Sequence, residues 1–281
     1  MPAKKNGKWG FINRNGAWII DSRFDEAYYF TEGLSAVNYN GQWGYIDRHG
    51  GWVIEPQFNQ AKPFSDGLAC VVSNNHWGYI NKMGEWHFKP HFKIVSSFSE
   101  DNAVVKSDEG FVFIDRNGVK ILPHNFEHGL PFSEGLAFVI YNGHQGYIEL
   151  SGNWLIKHDY DEAYSFSEGM ALIKTSNKYG FIDRKGSLVI PAVFEDAKYF
   201  KEGLASVKKH DKWGYINRSG QVVIESRFEM AFPFSNDHAV VKSGGRFGLI
   251  NKQGQWVIMP TFSGLGRYTK ALSLEEQVQD Y

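Results

Sequence analysis

The sequence predicts an all-β protein: eight 34-residue repeats, each a three-stranded antiparallel meander, arranged as a closed β-propeller-like ring. Three observations predict it: an unbroken period, strand and turn chemistry inside each period, and a central strand apolar on both faces. The dipeptide Trp-Gly opens at Trp9, Trp43, Trp77 and Trp213, with variants at Phe111, Gln145, Tyr179 and Phe247, each start 34 residues after the last. Three residues after each start stands Ile (Ile12, Ile46, Ile80 and onward to Ile250), and seven after stands Gly (Gly16 to Gly254). An aromatic ring follows at fifteen (Phe24 to Phe262, with Tyr160) and a further one near twenty-one, as at Phe30, Phe64 and Phe234. The units run 9–42, 43–76, 77–110, 111–144, 145–178, 179–212, 213–246 and 247–280 inside one domain, 1–281, with no linker or shift in composition between them.

Each unit decodes in order. Stretches such as Leu34-Ser35-Ala36-Val37 and Leu204-Ala205-Ser206-Val207 are aliphatic and end in Asn-Gly, Ser-Asn or Gly-Gly, which is hairpin punctuation. The central strand, Trp-Gly-Tyr-Ile, leads into Asn or Asp, a cation, a variable residue and Gly. Asn or Asp at the first position and Gly at the fourth suit a type I turn, with Gly free to take positive φ. The third strand follows, as in Trp18-Ile19-Ile20 and Trp52-Val53-Ile54, and is expected to stop at Pro56, Pro90, Pro123, Pro191 or Pro260. A loop holding the two aromatic anchors and the Ser-Glu-Gly turn completes the unit, as at Ser133-Glu134-Gly135. Gly inside the central strand is expected to make room for a neighbouring aromatic ring.

In Trp43-Gly44-Tyr45-Ile46 one face carries Trp and Tyr and the other Gly and Ile, so both faces need cover. A small meander cannot cover itself, and each must lie between neighbours. An open solenoid would need polar caps, whereas Met1-Pro2-Ala3 makes a poor strand and Leu272-Ser273-Leu274 falls at the first-strand position after the eighth unit. The C-terminal segment 271–281 is therefore expected to close the ring or cap it. Two facts favour the alternative, an open β-repeat superhelix: Glu275 stands where earlier copies have an aliphatic residue, and the unit is shorter than the ~40–45 residues of a WD40 blade.

Composition narrows the function. The chain has 281 residues, 42% hydrophobic, with 45 aromatic rings (22 Phe, 14 Tyr and 9 Trp), which excludes a disordered chain. A net charge of −1 gives no bulk attraction to nucleic acid or to acidic membranes. The single Cys70 excludes an internal disulfide framework and a cysteine-based zinc site, and fits a reducing compartment. With a polar start, MPAKKNGKWG, and no long apolar run, the expectation is a cytoplasmic monomer that meets neither membrane nor nucleic acid.

The Lys-Trp-Gly-Phe-Ile and Asn-Gly-Gln-Trp-Gly-Tyr-Ile starts, the Asp-Arg-x-Gly turn, the Val-Ile-x-Pro strand end and the Phe-Ser-Glu-Gly-Leu-Ala segment resemble the bacterial WG, or KWG, repeat family across essentially the whole chain. The resemblance implies a β-rich bacterial repeat protein and brings no catalytic residues with it. Unit 4 departs from the pattern at Phe111-Val112, and unit 5 at Gln145 and Glu149-Leu150-Ser151-Gly152.

Function is sought where the repeat is broken. His124 and His158 share a column in adjacent units, with His91 one column away and His128 and His144 nearby. That pattern admits a metal site or, more plainly, solvated loop histidines. No metalloprotease, nucleotide-binding or nucleophile-elbow motif is present. Two charge columns recur: Arg14, Arg48, Lys82, Arg116, Arg184, Arg218 and Lys252, and Glu32, Asp66, Glu100, Glu134, Glu168 and Glu202. They can pair with each other or face charged partners. The Trp column (Trp18, Trp52, Trp86, Trp154, Trp256) reads as core, with glycan stacking as the rival. The expectation is a non-enzymatic scaffold, without cofactor or metal, that presents loops to a protein partner, an inhibitor or immunity-type role being one form of it. The expected contact arc comprises His87, His91, Phe111, Pro123, His124, Glu127, His128, His144 and His158. A lectin with repeated glycan sites and a metal-dependent enzyme are the rivals.

Overall fold

The computed structural model describes residues 1–157 and 160–266. Every regular element in them is a strand, and the strands form eight sheets. In the second blade the sheet order is Glu26–Ala27, Ser35–Tyr39, Gln42–Ile46, Trp52–Phe58, all antiparallel. A blade thus takes its first two strands from the end of one sequence unit and its last two from the start of the next. The expected hairpin and turn are both present. Asn40 and Gly41 take φ of 53° and 84° at the hairpin tip, and Asp47 Oδ1 accepts the His49 and Gly51 N–H groups at 2.8 and 2.9 Å while Gly50 adopts φ 84°.

Two expectations need correction. The blades are four-stranded rather than three-stranded, because Glu26–Ala27 and its equivalents add a two-residue edge strand, pairing as Glu26↔Asn38 and Ala27↔Val37. The third strand also runs past its proline to the aromatic anchor, as in Trp52–Phe58 around Pro56. Proline costs nothing there, since an outermost strand leaves one side of its backbone unpaired. The register jumps from Trp43↔Phe58 to Tyr45↔Ile54, a bulge that carries the strand across Gly44.

That bulge explains the Gly of each Trp-Gly. A Cβ on Gly44 would lie 2.5 Å from the Ile54 carbonyl oxygen and 2.8 Å from Pro56 N, so the approach is mainly of backbone rather than of an aromatic ring. A ring adds to it at Gly78 and Gly248, where Trp86 and Trp256 stand 2.8 Å from the same point. Val112 holds this position in the fourth blade, and there the regular sheet shrinks to Asn102–Ser107 and Gly110–Asp115, with Ile114↔Lys120 and Phe111↔Phe126 left as isolated bridges.

Inter-blade packing buries the central strands on both faces: Tyr45, Ile46, Tyr79, Ile80, Tyr215 and Ile216 have no exposed surface. Buried tyrosine hydroxyls cross to the next blade, Tyr45 to the Lys62 carbonyl, Tyr79 to Ser96 and Tyr215 to Phe232, each at 2.8 Å. Each Asp-Arg-x-Gly turn rests on the preceding blade, with the space beside Gly50 taken by Ile20 and that beside Gly84 by Ile54.

The ring closes. Ile258 of the eighth blade stands beside Gly16 as Ile20 stands beside Gly50, and Phe232, Val240 and Leu249 pack with Ala3, Ile12 and Leu265. The closing device differs from the expected one. Pro2–Lys5 fills the first-strand position itself, and Gly264–Leu265 pairs with it through Ala3↔Leu265 and Lys4↔Gly264, reinforced by a Gly266 N–H to Pro2 carbonyl bond of 2.8 Å. Segment 271–281 lies outside the described residues. Tyr29 and Tyr199, five repeats apart, both project toward the axis. Burial raises the Tyr29 hydroxyl to about 12, with Tyr199 close enough to add to the effect. Yet 39% and 44% of their surfaces stay open to water.

The two charge columns pair across blades on one rim. Glu32, Asp66, Glu100, Glu134, Glu168 and Glu202 all adopt left-handed φ of 50–56°. Such backbone costs ~1 kcal/mol or more per residue and persists only where its surroundings demand it. The demand is visible. Glu32, Glu100, Glu134 and Glu168 each accept the Gly N–H of the next blade's equivalent turn, at 3.1, 2.9, 2.9 and 2.8 Å, and Glu202 accepts that of Asp237 at 2.8 Å. Lys82, Arg218 and Lys252 then pair with Glu32, Glu168 and Glu202 at 2.9, 3.2 and 3.3 Å.

Two predictions follow from this packing. Gly44→Ala places a methyl against backbone and is expected to cost ~2–4 kcal/mol in urea unfolding. Gly41→Ala, with φ 84° but nothing within 4 Å, should cost nearer ~1 kcal/mol. Equal losses would show that the close approach is not the constraint. In the rim girdle, burial alone would raise the Glu32 and Glu168 carboxyls. The bonds from Lys82 and Gly67, and from Gly203, Glu202 and Arg218, outweigh it and hold both below their ordinary values. Carboxyls lowered in the folded state stabilise fully above their unfolded range and lose that stabilisation as pH falls through the folded value. The melting temperature should therefore hold at neutral pH and decline below ~4.5, and Glu32→Gln with Glu168→Gln should shrink that decline. An unchanged acid profile in the double variant would place the pH dependence elsewhere.

Candidate functional site

The expected contact arc is spread over the third, fourth and fifth blades. His87 and His91 lie exposed on the outer strand Trp86–Phe92 of the third blade. His87 Nε2 stands 2.7 Å from the Arg116 carbonyl and so ties the third blade to the turn of the fourth. His91 Nδ1 lies 2.6 Å from the Lys89 carbonyl, and its ring stacks on Phe92 with centroids 3.7 Å apart. With no regular third strand in the fourth blade, residues 116–127 run as loop and bare Pro123, His124 and Glu127. His124 Nδ1 meets the Tyr141 hydroxyl at 3.2 Å, the two rings stacking at 4.7 Å, and exposed His144 pairs with Tyr141 across the next hairpin.

Three members of the expected arc have other roles. Phe111 is buried, with its ring 5.3 Å from that of His128 and 5.1 Å from the Lys106 ammonium; its aromatic column is core, so it offers no surface. His128 sits buried in the edge strand His128–Gly129, not on a loop. Glu127, though exposed, accepts the Gly143 N–H at 3.0 Å, as Asp25, Asp161, Glu195 and Glu229 cap the hairpin tips of their own blades. It is a repeated structural cap. His158 lies outside the described residues. The structure brings His124, Tyr141 and His144 together and leaves His87 and His91 on a separate strand. Among the described residues no three His, Cys, Asp or Glu side chains converge as metal ligands.

The Trp column packs between blades rather than standing free. Trp52 lies edge-on to Phe24 at 5.9 Å, Trp86 to Phe58 at 5.9 Å, Trp256 to Phe228 at 5.9 Å and Trp18 to Phe262 at 6.4 Å. These edge contacts tie each of the four indoles to the neighbouring blade, while Trp86 keeps 38% of its surface exposed.

One polar cluster was not anticipated. In the sixth blade Glu162 accepts from Lys174 at 2.7 Å and from the hydroxyls of Tyr164 and Tyr179 at 2.6 and 3.2 Å. Asp196 and Lys198 follow in the seventh. Burial raises the Asp196 carboxyl, while burial lowers the Lys198 amine to about 8 against the opposing pull of Asp196. The Lys198 ammonium lies 4.2 Å from the Phe232 ring centroid and 5.5 Å from that of Trp213. Such a pair exchanges protons closer to neutrality than exposed side chains do. The column carries acids at Glu26, Glu162 and Asp196, against Gln60, Ile94, His128 and Met230, so the acid alone did not single the cluster out in the sequence.

Comparison with known proteins agrees with this architecture. No curated protein matches the sequence. A eukaryotic initiation factor matches the fold with TM-score 0.60 at 12% identity, over 91% of this chain and 82% of that one. Kluyveromyces lactis Hsv2, with its loop 6CD replaced by a Gly-Ser linker, matches with TM-score 0.54 at 10% identity, over 79% of this chain and 90% of that one. At such identities these likenesses speak for the fold alone. The model of the WG containing repeat matches residues 9–43, 43–75, 77–110, 113–143, 146–179, 179–213, 213–246 and 247–273, which is nearly the whole chain. The chain belongs to the WG repeat family.

Proposed function

We propose that this ring is a non-enzymatic recognition scaffold that binds a protein partner through the arc of its third to fifth blades. The observation that carries the reading is the fourth blade: the repeat relaxes there, and a loop with exposed Pro123 and His124 replaces a regular outer strand. Loops on a rigid β scaffold vary at low structural cost, and binding concentrates on them. Beside that loop Tyr141 and His144 present amphipathic rings of the kind that anchor protein interfaces, and the exposed His87 and His91 add two more on the outer strand of the third blade. Obstruction of a partner enzyme, as an inhibitor or immunity protein would achieve, is one form of such binding. We place the protein in the cytoplasm, on the strength of its single buried thiol, Cys70.

Affinity capture from the native host with His87→Glu, His124→Glu and His144→Glu variants tests the assignment. Loss of a captured protein by at least tenfold in the triple variant, with capture kept by a control carrying Val223→Glu on the seventh blade, is the expected result. Undiminished capture by the triple variant would remove the arc from consideration. A lectin predicts instead that a glycan array binds both variants alike.

A further inference from the structure

A cleft opens at the seam of the ring. It lies between the eighth and first blades, has a volume of about 540 Å³, and is lined by Lys4, Lys5, Trp18, Arg246, Phe262 and Ser263 together with the hairpin tip Asn6-Gly7. Among the described residues three cations line it and no carboxylate does.

The other blades show what belongs in that position. In five of them a carboxylate from the loop before the edge strand caps the hairpin tip of the same sheet. Asp25 accepts the Asn40 N–H at 2.9 Å, Glu127 that of Gly143 at 3.0 Å and Asp161 that of Asn177 at 3.2 Å. Glu195 accepts those of His210 and Asp211 at 3.0 Å, and Glu229 that of Gly245 at 3.0 Å. In the first blade this column holds Ser263, whose hydroxyl turns to the Lys4 carbonyl at 3.2 Å. The tip is otherwise the same: Asn6 and Gly7 have φ of 52° and 81°, against 53° and 84° at Asn40 and Gly41. Two adjacent left-handed residues direct their N–H groups to one side, a concavity that takes an anion.

We propose that the seam cleft binds a Glu or Asp side chain of a protein partner, whose carboxylate takes the place on the Asn6 and Gly7 amides that Asp25 and its equivalents fill in other blades. Lys5 and Arg246 supply the charge; Arg246 is held toward the cleft by its bond to the Thr261 carbonyl at 3.0 Å. Trp18 and Phe262, edge to face at 6.4 Å, offer an apolar wall for the residue next to the acid. That wall favours a peptide over a small dicarboxylate. The site is separate from the arc of the third to fifth blades and does not depend on it.

The test is amide NMR of the full chain titrated with acetyl-Phe-Glu-Gly-amide, its Gln counterpart and succinate. Saturable shifts of the Asn6 and Gly7 amides with the Glu peptide are expected, at least tenfold weaker with the Gln peptide and with succinate, and falling as salt rises. Ser263→Asp supplies the acid that five of the other blades carry in this column, where the third and fourth blades have Asn59 and Lys93. It should keep the remaining spectrum intact and weaken the peptide at least tenfold, while Arg246→Ala should weaken it several-fold. Equal binding of the Gln peptide, or unchanged binding in Ser263→Asp, overturns the proposal. Succinate binding as tightly as the Glu peptide would assign the cleft to small dicarboxylates and overturn the choice of a peptide.

Discussion

A sheet with apolar residues on both faces has no stable existence in water by itself, and everything else in this molecule answers that constraint. Tyr45 and Ile46 point in opposite directions from one strand, and neither retains exposed surface. Burial on both sides requires a neighbour on each side, and a ring is the arrangement in which no blade lacks one. The same logic governs the polar groups. A buried tyrosine hydroxyl must find an acceptor, and Tyr45, Tyr79 and Tyr215 find one in the next blade, so satisfying a hydrogen bond and fixing blade orientation are one event.

The rim carboxylates refine this. Glutamate in left-handed backbone is a poor local choice, recurring here because the carboxylate reaches the N–H groups of the following turn and a cation beyond them. Local strain is thus exchanged for registry between blades, repeat after repeat. At position 150 the cation column carries Leu150, and Glu100 keeps its backbone contact with Gly135 while no column cation faces it. The departure falls beside the irregular fourth blade, where regularity is relaxed in other ways as well.

Much of this was legible in the sequence, because 34-residue periodicity, Asn-Gly tips and Asp-Arg-x-Gly turns are local signals with local causes. What escaped was set by distant partners. The edge strand Glu26–Ala27 has no β signature and exists only because Asn38 and Val37 are beside it. Met1-Pro2-Ala3 looked too weak for a strand, yet Leu265 and Phe11 flank it and make it one. Proline marked a strand end only on the assumption that both edges of that strand needed donors. The site followed the same rule. The histidine-rich, irregular arc could be found by scanning for broken columns, but burial of His128 and Phe111 depended on blades the sequence does not place. Glu127 looked special until the hairpin-capping column that contains it was visible in space.

The axial tyrosines carry a last consequence. Toroidal β proteins are often pictured as tubes, with a bore through which a solute might pass or in which it might lodge. Here Tyr29 and Tyr199 reach into that bore from different sides, and the space beside the Tyr29 hydroxyl is already claimed by Gly266. Two rings from distant repeats thus narrow the bore, and the chain's own closing segment stands against one of them.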